Sequence, residues 1–194
     1  MNEIIQLKIK LQQTEPVICR QIQVSHNTSF FELHNIIQIT MGWQNYHLFE
    51  FRYDDYIISL PNPDSFDFDN VKIIDCREIA LAQILTEELE TILYVYDFGD
   101  GWRHEITVEK FIPKATKTKY PICIAGEMQC PPEDCGGVHG FHEMLTVLQS
   151  KKHNQKQEYF EWLGHEFIPS EFDLTGINKQ LSKIKEYIKK VYGK

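Results

Sequence analysis

Thr91-Ile92-Leu93-Tyr94-Val95-Tyr96-Asp97-Phe98-Gly99-Asp100-Gly101-Trp102-Arg103-His104-Glu105-Ile106-Thr107-Val108 holds two apolar runs around a glycine-rich centre. The first run, 91–98, is apolar on both faces, as a central strand requires. Gly99-Asp100-Gly101 is a turn by composition. The second run puts Trp102, His104, Ile106 and Val108 on one face and predicts a return strand over 102–108. A hairpin in the middle of a sheet is the expectation.

Toward the N-terminus the same period recurs. Ile5, Leu7, Ile9 and Leu11 alternate with Gln6, Lys8, Lys10 and Gln12, and a second strand over 17–24 completes an antiparallel pair. A helix follows. Ser29 stands three residues before Glu32 in capping-box spacing, Phe30, Leu33, Ile36, Ile37, Thr40 and Met41 share one face, and Gly42 is placed to end it. Strands are expected over 47–52 and 56–60, a polar loop over 61–70, and a short helix over 78–85. The loop's Asp64, Asp67 and Asp69 lack the glycine and distal glutamate of a calcium hand and are read as solvated carboxylates. Helices are expected over 140–150, 154–163 and 174–191, the last capped by Asp173 and striped by Leu174, Ile177, Leu181, Ile184, Ile188 and Val191. There is no βαβ rhythm. The fold class is α+β: a mostly antiparallel sheet with packed helices, a ββαβ-type start and a helical C-terminus.

A chain of 194 residues with 42% hydrophobic and 12% aromatic content has the mass for one core and is read as a single domain, 1–194. The first residues lack a basic region leading into an apolar run, and no apolar stretch approaches the ~20 residues of a membrane span, so the expected setting is cytoplasmic, without membrane contact. Five cysteines are then expected as thiols. Net charge is −8, concentrated in residues 50–109, where 15 acids meet 4 bases for a net of −11. Such a chain lacks the basic face of a dedicated duplex-DNA binder. The lysines near the C-terminus, including Lys183, Lys185, Lys189 and Lys190, are either a solvated helix face or a limited nucleic-acid contact.

Two constellations could carry chemistry. If Asp100-Gly101 is the centre of a two-residue type I′ turn, Asp97 lies opposite His104. A carboxylate beside an imidazole is the arrangement of a base and its orienting group, and equally of a polar pair that fixes strand register. No nucleophile stands nearby in sequence, and no catalytic residue is assigned. The second constellation is Cys130, Cys135, His139 and His142, two thiols and two imidazoles in a glycine- and proline-rich stretch. These are ligands that zinc prefers, although the spacing matches no standard finger, and a rigid loop with packed thiols explains it as well. His34 and His47 are read as hydrogen-bonded buried side chains. No nucleophile-elbow, P-loop or dinucleotide fingerprint is present.

Leu33-His34, Gly42-Trp43, His47-Leu48-Phe49-Glu50-Phe51, the 94–105 hairpin, Cys130-Pro131-Pro132-Glu133-Asp134-Cys135-Gly136-Gly137, Trp162-Leu163 and Phe172-Asp173 together resemble the plasmid pRiA-type Orf-three-like family. The resemblance covers nearly the whole chain. It implies a compact α+β fold and a mobile-element setting, and it implies no reaction.

The leading expectation is a non-enzymatic protein- or ligand-binding module. Its surface joins Asp97, Asp100, Trp102 and His104 to Glu133 and Asp134, with Trp102 as an exposed apolar anchor in an acidic rim suited to a basic partner or a cation. One alternative is a metal-dependent hydrolase using Cys130, Cys135 and His104. Another is a mobile-element-associated nucleic-acid accessory protein using the lysine-rich helix.

Overall fold

The computed structural model describes residues 3–61, 72–86, 91–150 and 154–193. The aspartates of the 61–70 loop lie outside these residues. Eight strands among them form one sheet: β1 (Glu3–Leu11), β2 (Cys19–Ser25), β3 (Phe49–Tyr53), β4 (Tyr56–Ser59), β5 (Lys72–Asp75), β6 (Thr91–Tyr96), β7 (Trp102–Pro113) and β8 (Ile122–Glu127). Their spatial order is β5-β4-β3-β6-β7-β1-β2-β8. Every pairing is antiparallel except that of β4 with β5. The helices are α1 (Phe30–Met41), α2 (Gly137–Gln149), α3 (Lys156–Leu163), α4 (Leu174–Leu181) and α5 (Ile184–Tyr192). The α+β class, the antiparallel sheet and the helical C-terminus are as the sequence patterns indicate.

β1 runs between β2 and β7 and seals Ile4, Ile5, Leu7, Ile9 and Leu11. α1 lies across the sheet. Ser29 caps it by accepting the Glu32 N–H, and Gly42 ends it at φ 83°. Its buried set is wider than one stripe and takes in His34, Asn35 and Gln38. His34 and Gln38 meet the Tyr94 hydroxyl on β6, and α4 and α5 also pack against α1. Truncating the fully buried Leu33 should cost about 2–5 kcal/mol. Arg20 on β2 is also buried. Its guanidinium donates to the Thr40, Cys19 and Glu127 carbonyls and lies over the Phe172 ring at 4.7 Å. The charge is thereby paired with dipoles and a ring rather than left bare. At the sheet's β8 side, the Asn178 amide accepts the Cys123 N–H and donates to the Cys123 carbonyl, both at 2.8 Å.

Three local expectations fail. Only Leu81–Gln83 of the 78–85 segment is helical, as one 3₁₀ turn, because Leu81 and Ala82 donate their N–H groups to the Thr28 and His26 carbonyls. The long C-terminal helix is two helices that share its apolar stripe, breaking at Ser182–Lys183. The central hairpin turns through 97–101 rather than through Asp100-Gly101 alone, since Tyr96 pairs with Trp102 and Tyr94 with His104. Asp97 itself makes this wider turn. It adopts φ 56°, and its Oδ1 accepts the N–H groups of Gly99 and Asp100.

Candidate functional site

The wider turn separates Asp97 from His104, so the proposed base–orienter pair does not form. His104 lies across from Tyr94, fully buried, with Trp43 edge-on at 5.3 Å. Desolvation lowers its pKa to about 3, helped by the nearby Arg20 charge, while weak backbone interactions at Tyr94 and Trp102 only partly oppose this. Neither ring nitrogen meets a properly aligned hydrogen-bond partner among the described residues. A neutral, sealed imidazole cannot serve surface chemistry. Trp102 is 0% exposed, so it is core and not an anchor. The hairpin's exposed aromatic is Phe98, at 54%. His34 is the buried, hydrogen-bonded side chain expected: it stacks on Phe49 and contacts the Tyr94 hydroxyl and Asn45 Oδ1, both at 2.8 Å.

The cysteine–histidine loop does not gather four ligands. His142 Nε2 accepts the Glu15 N–H of the β1–β2 connection, and His139 is exposed. Burial raises the Cys130 and Cys135 thiols to about 12, and for Cys135 the Asp100 charge adds to the effect. Neither cysteine falls in a trio of histidine, cysteine or carboxylate side chains close enough to share an ion among the described residues. The four C-terminal lysines, Lys183, Lys185, Lys189 and Lys190, are exposed on and just before α5.

The two stretches singled out in the sequence nevertheless meet. Gly137 lies so close to the hairpin turn that a Cβ on it would stand 2.5 Å from the Asp100 carbonyl oxygen. Gly136 and Gly137 take φ 88° and 66°, and this left-handed pair turns the loop into the start of α2. A third stretch joins them, the segment after α1. Tyr96 donates to Glu133 Oε1 and accepts the Tyr46 N–H, while Glu133 Oε2 accepts the Gln44 N–H at 2.7 Å. Trp43 Nε1 donates to the Pro131 carbonyl at 2.8 Å. Desolvation first, then Glu133, pushes the Tyr96 hydroxyl far above its ordinary range, so it stays a donor.

At this junction His47 Nε2 lies 3.3 Å from Asp134 Oδ1 and 3.6 Å from Asp97 Oδ2. The three come from three separate loops. Among the described residues, this is the one trio of histidine, cysteine or carboxylate side chains whose ligand atoms all fall within 4.8 Å of one another. Sequence reasoning placed Asp97 and Asp134 in the surface but missed His47. Its place beside Leu48-Phe49 in a family-typical stretch marks it no more than Leu33-His34 marks the buried His34.

Beside the junction opens a cleft of about 640 Å³, walled by the end of α1, the 129–134 loop and the 162–180 segment. Its acids are Glu133, Asp134, Glu171 and Asp173. Among the described residues no lysine lines it, and its arginine, Arg20, is the one held by three carbonyls. Tyr46 and Trp162 on its wall are 70% and 49% exposed.

Known proteins share this chain's pattern. A family model described as plasmid pRiA4b ORF-3-like protein matches residues 3–176. A Sinorhizobium fredii protein named "Uncharacterized protein y4hQ" is 35% identical over 182 residues, 93% of this chain and 89% of that one. The crystal structure titled as a protein of unknown function, MM3350 from Methanosarcina mazei Go1, superposes with a TM-score of 0.82 at 34% identity, covering 93% of this chain and 98% of that one. On the length and identity of these matches, the chain belongs to the plasmid pRiA4b ORF-3-like family.

Proposed function

We propose that the protein is a non-enzymatic binding module whose cleft takes a basic, partly apolar peptide segment of a protein partner. The observation that carries this reading is the cleft's one-sided chemistry. Four acids line it, no lysine does among the described residues, and the Arg20 charge is already engaged. Tyr46 and Trp162 supply exposed apolar surface for the stems of arginine or leucine side chains. Charge complementarity of this kind sets partner sign and association rate more than raw affinity.

The test is fluorescence anisotropy with a labelled dodecapeptide alternating arginine and leucine, run with chelator present. Its affinity should exceed that of the glutamate–leucine counterpart at least tenfold. Trp162→Ala and Glu171→Lys should each weaken it about tenfold, and salt should weaken it further. Equal affinity for the two peptides, or indifference to both substitutions, removes the reading.

A further inference from the structure

We propose that His47, Asp97 and Asp134 form a binding site for one divalent ion of the zinc class, at the junction of the three loops, with Asp134 shared with the cleft wall. Geometry comes first. Ligands about 2.0–2.2 Å from one tetrahedral ion stand roughly 3.3–3.6 Å apart. The His47 nitrogen stands 3.3 Å and 3.6 Å from its two carboxylate oxygens. Two edges of the trio already have this spacing, and the third, between the two carboxylates, lies within 4.8 Å and can close through the exposed Asp134 side chain.

Two further observations point to a ligand rather than to a chance cluster. Asp97 is 6% exposed, and while its Oδ1 is used up by the turn, its Oδ2 has no hydrogen-bond donor among the described residues and faces His47. His47 Nε2 is itself shut off from solvent and makes no hydrogen bond there, despite two acceptors at close range. A sealed imidazole nitrogen without a hydrogen bond, facing the carboxylate of so little exposed a residue, is costly unless something cationic joins them. A proton on the histidine is one such joiner; a metal ion satisfies all three groups at once.

The donor set selects the ion. Imidazole suits zinc and its first-row neighbours, while magnesium and calcium favour all-oxygen shells. Two elements are rigid and one is free. Asp97 is fixed by its own turn, and His47 is held by the Tyr96 hydroxyl, which accepts its N–H at 3.4 Å. The Asp134 side chain is 67% exposed. Three protein ligands with one on the solvent side leave a fourth position for water or a ligand atom.

The experiment titrates the full chain, stripped with chelator and desalted, with zinc alone by calorimetry. One ion per chain should bind, and magnesium should not compete at a hundredfold excess. His47→Ala should weaken zinc binding at least tenfold. Asp134→Asn, an exposed change that leaves folding intact, should do the same, while Cys19→Ser and Cys135→Ser leave it unchanged. Cobalt in place of zinc should give the visible d–d bands of a tetrahedral ion without a thiolate charge-transfer band. Absence of stoichiometric binding, or binding that survives His47→Ala and Asp134→Asn, overturns the site, as does loss on replacing a cysteine. The readout is the metal alone, so failure of the peptide experiment leaves this one standing, and the reverse holds.

Discussion

Two zones of the hairpin region treat the same side-chain types in opposite ways. Behind its strands, His34 and His104 are sealed among Phe49, Tyr94, Trp43 and Trp102, and burial lowers both imidazoles to about 3. Beyond its tip, His47 sits between two carboxylates at the meeting of three loops. The first zone consists of packing residues that merely contain nitrogen. The second holds groups that packing does not need. A histidine within a family-typical stretch therefore says little about role until its neighbours in space are known.

The contrast breaks most directly with Trp102→Ala. Removing this fully buried indole should cost about 3–5 kcal/mol in a denaturant titration, whereas Phe98→Ala at the exposed tip should change stability by no more than about 0.5 kcal/mol. Equal costs would erase the distinction between the zones.

Acid probes the same divide. A histidine with a lowered native pKa binds fewer protons folded than unfolded, so its contribution is present above the unfolded value of about 6.5 and is lost as pH falls toward about 3. His34 and His104 together should remove roughly 2–4 kcal/mol between pH 7 and pH 5, read from denaturant midpoints. His34→Gln should roughly halve that slope. A flat profile would mean that the aromatic zone admits protons.

Gly137→Ala sharpens the contrast at its seam. The substitution meets both a φ of 66° and the Asp100 carbonyl, so a loss of about 1–3 kcal/mol is expected. It should also weaken zinc binding, because the loops that carry Asp97 and Asp134 would be pushed apart. Thermal melts with and without zinc measure both effects.

Much of the framework was legible in the sequence for identifiable reasons. Period-two alternation in β1 and β2 survives because the pairing is simple, and Ser29 and Gly42 act locally on α1. The 174–191 stripe looked continuous because Leu181 and Ile184 stay buried on either side of the break. The five-residue turn escaped because Asp97 adopts a left-handed backbone that composition alone does not demand. Trp102 shares a face with His104 and Ile106, both buried, so its period already placed it inside; its position beside a turn misled. Positions 47, 97 and 134 fall in different loops, and no spacing rule links them.

The Asn178 clasp on Cys123 has a further consequence. A terminal strand normally offers bare main-chain donors and acceptors to any extended chain that passes. Here one side-chain amide fills both near the start of β8, taking the place a neighbouring strand would occupy. Self-templated growth of the sheet on that flank would first have to evict it.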